Sequence, residues 1–144
     1  LEALGKVTTD SHHIGLPVLG MVYARGPNLN PVSGDKTQGV AQAARVAFEI
    51  GCDVAKTTWT GDSESFKQVT SAAPIPMLVA GGANTGDTRS VLLMVEKAMK
   101  AGASGVCMGR QVFAHKDPLK MAMALRRIIH DGCSATEAAD EFNL

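Results

Sequence analysis

Cysteine is scarce in this 144-residue chain, and its spacing excludes two classes of small protein. Cys52, Cys107 and Cys133 are odd in number and form no Cys-x-x-Cys pair, so neither a simple disulfide framework nor a cysteine-rich zinc site is expected. The sequence also lacks an apolar run near the roughly 20 residues of a membrane span and an N-terminal stretch resembling a signal peptide. We therefore predict a cytoplasmic protein with no membrane partner.

Net charge is lacking as well, because 14 Lys and Arg residues balance 14 Asp and Glu residues. Such a chain has no general attraction for polyanions, so we expect no nucleic-acid partner. The four histidines, His12, His13, His115 and His130, have no spacing that brings several metal ligands together from strand ends. We expect surface or capping roles for them, and neither a metal nor a cofactor.

The chain does contain a pattern that occurs four times: a short apolar run, a polar loop and an amphipathic stretch, which together are typical of a βα unit. The apolar runs predict four strands, and their composition suits strands buried on both faces of a parallel sheet. The predicted strands are 16–23, 53–59, 76–80 and 105–108. The predicted helices are 1–15 in part, 37–50, one beginning at 62 or 63, one beginning near 88 and ending before Gly102, one from 118 through 129 to Gly132, and 134–142.

Four such units amount to half of a (β/α)₈ barrel, which typically needs about 250 residues. The equivalent strand ends at Tyr23, Lys56, Gly81 and Gly109 are 33, 25 and 28 residues apart, a period suited to successive βα units. A small doubly wound sheet, complete in itself, is the alternative. We expect a single domain over residues 1–144. The first residue is Leu1, not Met, and it already lies in a segment with a helical pattern, which suggests that a start is missing.

Lys56 is the least expected residue of the pattern, because it ends an apolar strand and a buried ammonium is costly unless it is paired or neutralised. Period-two alternation places Val54 and Lys56 on one face, which would be the interior of a barrel near its upper rim. Removal from water favours the neutral amine, the nucleophile that Schiff-base catalysis requires. The other interpretation is a lysine that ends the strand and reaches solvent through its flexible stem.

Glycines follow the next two strands, where the backbone can approach an anion closely. Gly81 and Gly82 follow the third strand, and Gly109 with Arg110 follows the fourth. In barrels the loops after strands 7 and 8 frequently hold a phosphate, and these residues occupy those loops if the four strands are the last four. A Gly-Gly pair alone often marks a simple turn, but the lysine, the two glycine sites and the arginine together indicate a phosphate site beside an amine.

Three segments carry a family resemblance: 54–62 reads VAKTTWTGD, 79–82 reads VAGG, and 102–113 reads GASGVCMGRQVF. They resemble the archaeal-type class I aldolases, the DhnA or DeoC/LacD family, and the likeness covers nearly the whole chain. The family includes fructose-bisphosphate aldolases and 2-amino-3,7-dideoxy-D-threo-hept-6-ulosonate synthases, and segment 56–62 and the terminal helix are slightly more similar to the latter. The resemblance implies an α/β fold, namely the C-terminal half of a TIM barrel comprising strands 5–8 and their helices.

By this resemblance Lys56 is the Schiff-base lysine, and Gly81, Gly82, Gly109 and Arg110 hold a substrate phosphate. Segment 16–26, LPVLGMVYARG, looks like the family's strand 5, so Tyr23 matches its proton-transfer tyrosine. Residue 24 is alanine where the family usually has proline, which alters the turn but leaves the hydroxyl available. The implied activity is making or breaking a C–C bond in a phosphorylated sugar.

The family's strand 1 contributes a catalytic aspartate, and strands 1–4 have no counterpart here. An inactive half-barrel that binds phosphorylated metabolites or assembles with a partner chain is therefore one alternative, and a lysine-dependent thiolase of autoinducer-2 phosphate breakdown is another. Family members are commonly oligomeric, so we expect a homo-oligomer. Cys107 is expected to pack in the core, whereas Trp59 would either line the pocket mouth or cover it.

Overall fold

A computed structural model describes residues 1–26, 35–82 and 87–144. In these ranges the chain forms four short strands, each followed by helical structure. The strands are β1 (Leu19–Met21), β2 (Val54–Thr58), β3 (Met77–Ala80) and β4 (Gly105–Cys107). The helices are α1 (Glu2–His13), α2 (Thr37–Ile50), α3 (Ser63–Ser71), α4 (Thr88–Lys100), α5 (Arg110–Phe113), α6 (Pro118–Asp131) and α7 (Ala135–Phe142).

The four strands form one parallel sheet in the order β1-β2-β3-β4, so each strand lies beside its predecessor in the chain. A doubly wound sheet reverses its strand order at a switch point, and this sheet has no reversal. The register places Met21 beside Lys56 and Lys56 beside Leu78. The sheet therefore has the strand order of consecutive βα units in a (β/α)₈ barrel.

The helices of the described ranges cover one face of this sheet and leave the other uncovered. Side chains on the covered face, among them Ala55 and Val79, are fully buried with Phe66 and Val69 of α3 in the core. On the opposite face Leu19 is 42% and Met21 65% exposed. The expectation of strands buried on both faces is therefore wrong for the described ranges, because no helix among them lies over this second face.

Helix ends agree closely with the local sequence signals. Asp117 caps α6 with Pro118 in its first turn, and Ser134 forms a capping box with Glu137 at the start of α7. Gly51 ends α2 with φ 100°, a left-handed conformation that glycine adopts without a Cβ clash. The short helix α5 was not predicted. Among the helices of ranges 1–26, 35–82 and 87–144, none is long and apolar enough to cross a membrane.

The strands are shorter than predicted, most of all β1, which was expected to span 16–23. Among the described strands it pairs with β2 alone, and Pro17 has no backbone N–H to donate. Past Met21 the pairing continues by one hydrogen bond, from the Val22 amide to the Lys56 carbonyl at 3.0 Å. The apolar run therefore overestimates the length of β1, because that length depends on pairing with β2.

Candidate active site

A cavity of about 590 Å³ opens where the four strands end. All six residues proposed from the sequence border it, although they come from four separate stretches of the chain. The described residues that line it are Tyr23, Arg25, Lys56, Thr58, Trp59, Ala80, Gly81, Gly82, Met94, Cys107, Gly109 and Arg110. Parallel strands deliver their carboxyl ends to the same edge of a sheet, which explains why loops distant in sequence meet here.

Lys56 lies on the second strand of the sheet, on the face that helices leave uncovered. Side chains alternate along β2, so Ala55 and Thr57 are buried against the helices while Lys56 and Thr58 face the cavity. Lys56 is half-buried, and within the described ranges its amine has no hydrogen-bond or ion-pair partner. An amine without an internal partner is available to a bound carbonyl.

Tyr23 stands beside this lysine, two residues beyond the end of β1. The Val22 amide bonds to the Lys56 carbonyl, which fixes the backbone before Tyr23 against the lysine strand. The Tyr23 side chain is 37% exposed. The Arg25 guanidinium lies over its ring, 5.3 Å from the centroid, within the range of a cation–π contact.

The glycine loops form the other side of the cavity. The Gln111 side chain is buried, and its Nε2 donates to the Gly81 carbonyl at 3.0 Å, which ties the loop after β3 to α5. Gly82 has φ 64°, a left-handed conformation. Residues 83–86, which continue this glycine run, lie outside the described ranges.

The neighbouring side chains leave no room for a Cβ atom at position 81, so glycine is required there, and a substitution tests this requirement. A Cβ built at Gly81 would lie 2.8 Å from Cγ of Met108 and 3.1 Å from Cγ of Gln111. We expect Gly81→Ala to lower the free energy of unfolding by about 1–3 kcal/mol, the usual cost of overpacking, in a urea titration. At Gly109 a Cβ would meet only Phe113, at 3.9 Å. Gly109→Ala is the matched control, and an equal loss in both variants would contradict the steric argument.

The nearby carboxylates cap helices. Asp62 accepts from the Ser65 amide at the start of α3, and its hydrogen bonds to the Ser65 amide and hydroxyl lower the pKa of this carboxyl. The Ser90 hydroxyl and then its amide lower the pKa of Asp87 in the same way at the start of α4. No Asp or Glu is among the described residues that line the cavity.

Sequence reasoning missed some cavity residues and misplaced one. Cys107 faces the cavity half-buried, so the expectation of core packing is wrong; its register partner Ala80 lies on the same wall. Trp59 lines the cavity and packs on Phe66, with ring centroids 5.0 Å apart. Arg25 was not predicted as a cavity residue, although it lies only two residues after Tyr23, which was.

The histidines lie outside this cavity in the described ranges. His12 bonds to the Asp53 carboxylate, and His13 to the Thr9 carbonyl. His115 is held between the Thr88 hydroxyl and the Asp117 backbone. Over residues 1–26, 35–82 and 87–144 no group of three or more His, Cys, Asp or Glu side chains could hold a metal ion.

Comparison with known proteins shows the family to which the chain belongs. The model of the DeoC/LacD family of aldolases matches residues 1–115, which is most of the chain. The chain belongs to the DeoC/LacD aldolase family. Family membership agrees with the resemblance carried by the lysine strand and the glycine loops.

Relatives of this DeoC/LacD chain include proteins of two named activities. A 2-amino-3,7-dideoxy-D-threo-hept-6-ulosonate synthase of Halobacterium salinarum is 42% identical over 131 residues, which are 91% of this chain and 48% of the relative. The crystal structure of an archaeal fructose 1,6-bisphosphate aldolase superposes with a TM-score of 0.83 at 34% identity, covering 91% of this chain and 52% of that one.

A further archaeal fructose-1,6-bisphosphate aldolase structure has its catalytic lysine covalently bound to the carbinolamine intermediate of the substrate. It superposes with a TM-score of 0.81 at 33% identity, over 89% of this chain and 51% of that one. These structural neighbours are TIM-barrel aldolases. The chain therefore spans about half the length of the relatives that it matches.

Proposed function

We propose that this chain forms the C-terminal half of a (β/α)₈ barrel, supplying strands 5–8 of a class I aldolase that acts on a phosphorylated sugar. The observation that carries the proposal is the cavity in which an unpartnered strand lysine, Lys56, faces a tyrosine and two glycine loops. The uncovered apolar sheet face supports the barrel, because closure would cover this face and pair both sheet edges.

Lys56 performs the covalent step in this proposal. Its neutral amine adds to the substrate ketone, and loss of water from the adduct leaves an iminium. When the neighbouring C–C bond breaks, its electron pair moves into the iminium and gives an enamine, while the departing carbon becomes an aldehyde as its hydroxyl loses a proton. Protonation of the enamine and addition of water then release the second product and the free lysine.

Binding of the remote phosphate positions the ketone for this attack. The backbone amides of Gly81, Gly82 and Gly109, together with the Arg110 guanidinium, hold the phosphate at the far side of the cavity from Tyr23. Fixing this group turns an encounter in solution into reaction within a complex. Tyr23 moves the proton, and a second acid/base group comes from the preceding half of the barrel.

The relatives support both parts of the proposal. One neighbour has its catalytic lysine bound to a carbinolamine of its substrate, which is the intermediate that Lys56 would form first. Fructose 1,6-bisphosphate and an aminodideoxyheptulosonate product are the compounds in the names of the relatives. A phosphorylated ketose is the substrate class that we propose here, with a homo-oligomeric assembly as a further prediction.

Borohydride reduction in the presence of dihydroxyacetone phosphate tests the proposed function. Reduction would convert the iminium to a stable secondary amine, so intact-mass analysis should show one adduct and peptide mapping should place it on Lys56. Dihydroxyacetone at the same concentration should label far more slowly, because it has no phosphate for the glycine loops. Absence of an adduct, or adducts spread over the surface lysines, would overturn the Schiff-base mechanism.

A half-barrel that binds phosphorylated compounds without turnover is the second candidate. It is favoured by the lack of a carboxylate among the described residues that line the cavity. Assay of C–C cleavage by a complete barrel, in which the preceding half supplies the second acid/base group, separates the two: an adduct on Lys56 without release of product identifies the non-catalytic half-barrel, whereas release of product identifies the aldolase.

A further inference from the structure

The peptide unit between Gly81 and Gly82 borders the Lys56 cavity, and its two polar groups have different surroundings. The Gly81 carbonyl accepts from Nε2 of Gln111 at 3.0 Å. The Gly82 amide, in contrast, has no acceptor among the described residues. Both glycines line the cavity, whereas Gln111 is not among its described lining residues and borders a separate cavity of about 580 Å³. The carbonyl is therefore engaged outside the Lys56 cavity, and the amide is available to a ligand.

The direction of one polar group in a trans peptide unit fixes the direction of the other. The unit is planar, and in the trans form its C=O and N–H bonds point in opposite directions. The peptide bonds of the described ranges are all trans. A Gly81 carbonyl that is held towards Gln111 therefore turns the Gly82 N–H bond away from Gln111. A backbone amide that points into a cavity can donate to an anion bound there.

Glycine at both positions makes this direction depend on the contact with Gln111. Glycine adopts positive and negative φ about equally readily, and Gly82 has φ 64°. A peptide unit between two glycines can therefore rotate with little steric cost, which would turn the amide elsewhere. The Gln111 side chain is 5% exposed, and a Cβ built at Gly81 would lie 3.1 Å from its Cγ. A buried side chain packed this closely has few alternative positions, so it can hold the carbonyl in one direction.

We propose that Gln111 is a positioning residue of the phosphate site: it holds the Gly81 carbonyl so that the Gly82 amide points into the cavity and donates to the substrate phosphate. Gln111 follows Arg110 in α5, so one short helix carries both a cation for the phosphate and the side chain that fixes the loop after β3. This inference rests on the proposed function and adds to it a residue that does not touch the substrate. An amide that is already fixed loses little freedom when the phosphate binds, and this favours tight binding.

The sequence allows the Gly82 amide to be observed alone by NMR, because residues 81 and 82 form its only Gly-Gly pair. Glycine is labelled with ¹³C at the carbonyl and with ¹⁵N, and unlabelled serine is supplied so that serine stays unlabelled. An experiment that correlates each amide with the preceding carbonyl should then give one signal. Sorbitol 6-phosphate, a sugar phosphate without a carbonyl group, should move this amide proton to higher frequency through a charge-assisted hydrogen bond. An unchanged signal at saturation would overturn the inference.

Gln111→Met and Gln111→Leu both remove the donor and keep an apolar side chain in the buried position. Each variant should bind sorbitol 6-phosphate about tenfold more weakly in calorimetry, the scale of one lost hydrogen bond to a charged group. Each should also show a smaller shift of the Gly82 signal at saturation. Gln68→Met, which replaces an exposed glutamine of α3, is the matched control and should change neither result.

Borohydride labelling of Lys56 separates a positioning role from a merely structural one. At concentrations below saturation, the Gln111 variants should label more slowly than the unaltered chain with dihydroxyacetone phosphate. With dihydroxyacetone they should label at the unaltered rate, because this compound has no phosphate for the Gly82 amide to bind. Equal slowing with both compounds in both variants would overturn the positioning role, as would an unchanged affinity for sorbitol 6-phosphate.

Sorbitol 6-phosphate cannot form an iminium with Lys56, so the inference and the aldolase mechanism can fail separately. Failure of borohydride labelling in the unaltered chain, with the expected calorimetry and NMR results, would contradict the aldolase mechanism alone. Tight binding of sorbitol 6-phosphate without any effect at Gly82 or from the Gln111 variants would contradict the role of Gln111 alone. Failure of the unaltered chain to bind sorbitol 6-phosphate would overturn the phosphate site and this inference with it.

Discussion

Replacing Lys56 with methionine should abolish the borohydride-trapped adduct with dihydroxyacetone phosphate and leave binding of sorbitol 6-phosphate intact. Methionine keeps an unbranched chain of similar length in the half-buried position on β2. It lacks the Nζ amine, which is the nucleophile of the covalent step. The phosphate loops follow β3 and β4, so they do not depend on the amine. Intact mass measures the first effect and calorimetry the second.

The matched control for this experiment is Lys67→Met. Lys67 is exposed on α3 and makes no described contact with the cavity, so the variant should label as fully as the unaltered chain. Persistent labelling of Lys56→Met would show that another lysine forms the adduct. Loss of both labelling and ligand binding would show instead that the substitution disturbs the site as a whole, which circular dichroism of the variant would detect.

Helix ends could be predicted from the sequence because their signals are local. The Asp117-Pro118 pair and the Ser134 and Glu137 capping box each lie within one turn of the helix that they begin. The contacts that they make depend on residues three positions apart and hardly on the rest of the fold. The helix α5 escaped prediction, since four residues carry too little periodicity to be recognised.

Strand bounds and strand burial were harder, because both depend on residues far away in the chain. The length of β1 is set by its pairing with β2, more than 30 residues later. The apolar character of Leu19 and Met21 shows that they favour a covered environment, but the sequence does not say which element covers them. Their exposure in the described structure is therefore a feature that apolarity alone could not predict.

Convergence of the candidate site could be predicted because parallel strands end at one edge of the sheet. Lys56, Gly81 and Gly109 were each assigned to a strand end, and the topology brings those ends together. Arg25 and Cys107 were missed for different reasons. The direction of Arg25 depends on its contact with the Tyr23 ring, and β4 has only three residues from which to infer a face.

Replacing Tyr23 with phenylalanine should slow proton transfer at the bound substrate and spare the covalent step. We expect deuterium exchange at the hydroxymethyl carbon of dihydroxyacetone phosphate, followed by NMR in deuterated buffer, to fall about 10²- to 10⁴-fold, the usual contribution of a positioned acid or base. The substitution removes only the hydroxyl, so the ring that carries the Arg25 guanidinium is kept. Borohydride labelling of Lys56 should therefore stay close to that of the unaltered chain.

The two assays together separate formation of the iminium from its conversion to the enamine. Exchange requires the iminium first, because loss of the proton leaves an electron pair that the iminium nitrogen accepts. Lys56→Met should therefore lose both exchange and labelling, whereas Tyr23→Phe should lose exchange only. Exchange at the unaltered rate in Tyr23→Phe would assign the proton to water or to another group. Parallel loss of labelling would show that the hydroxyl also assists formation of the iminium, so that Tyr23 acts in both steps.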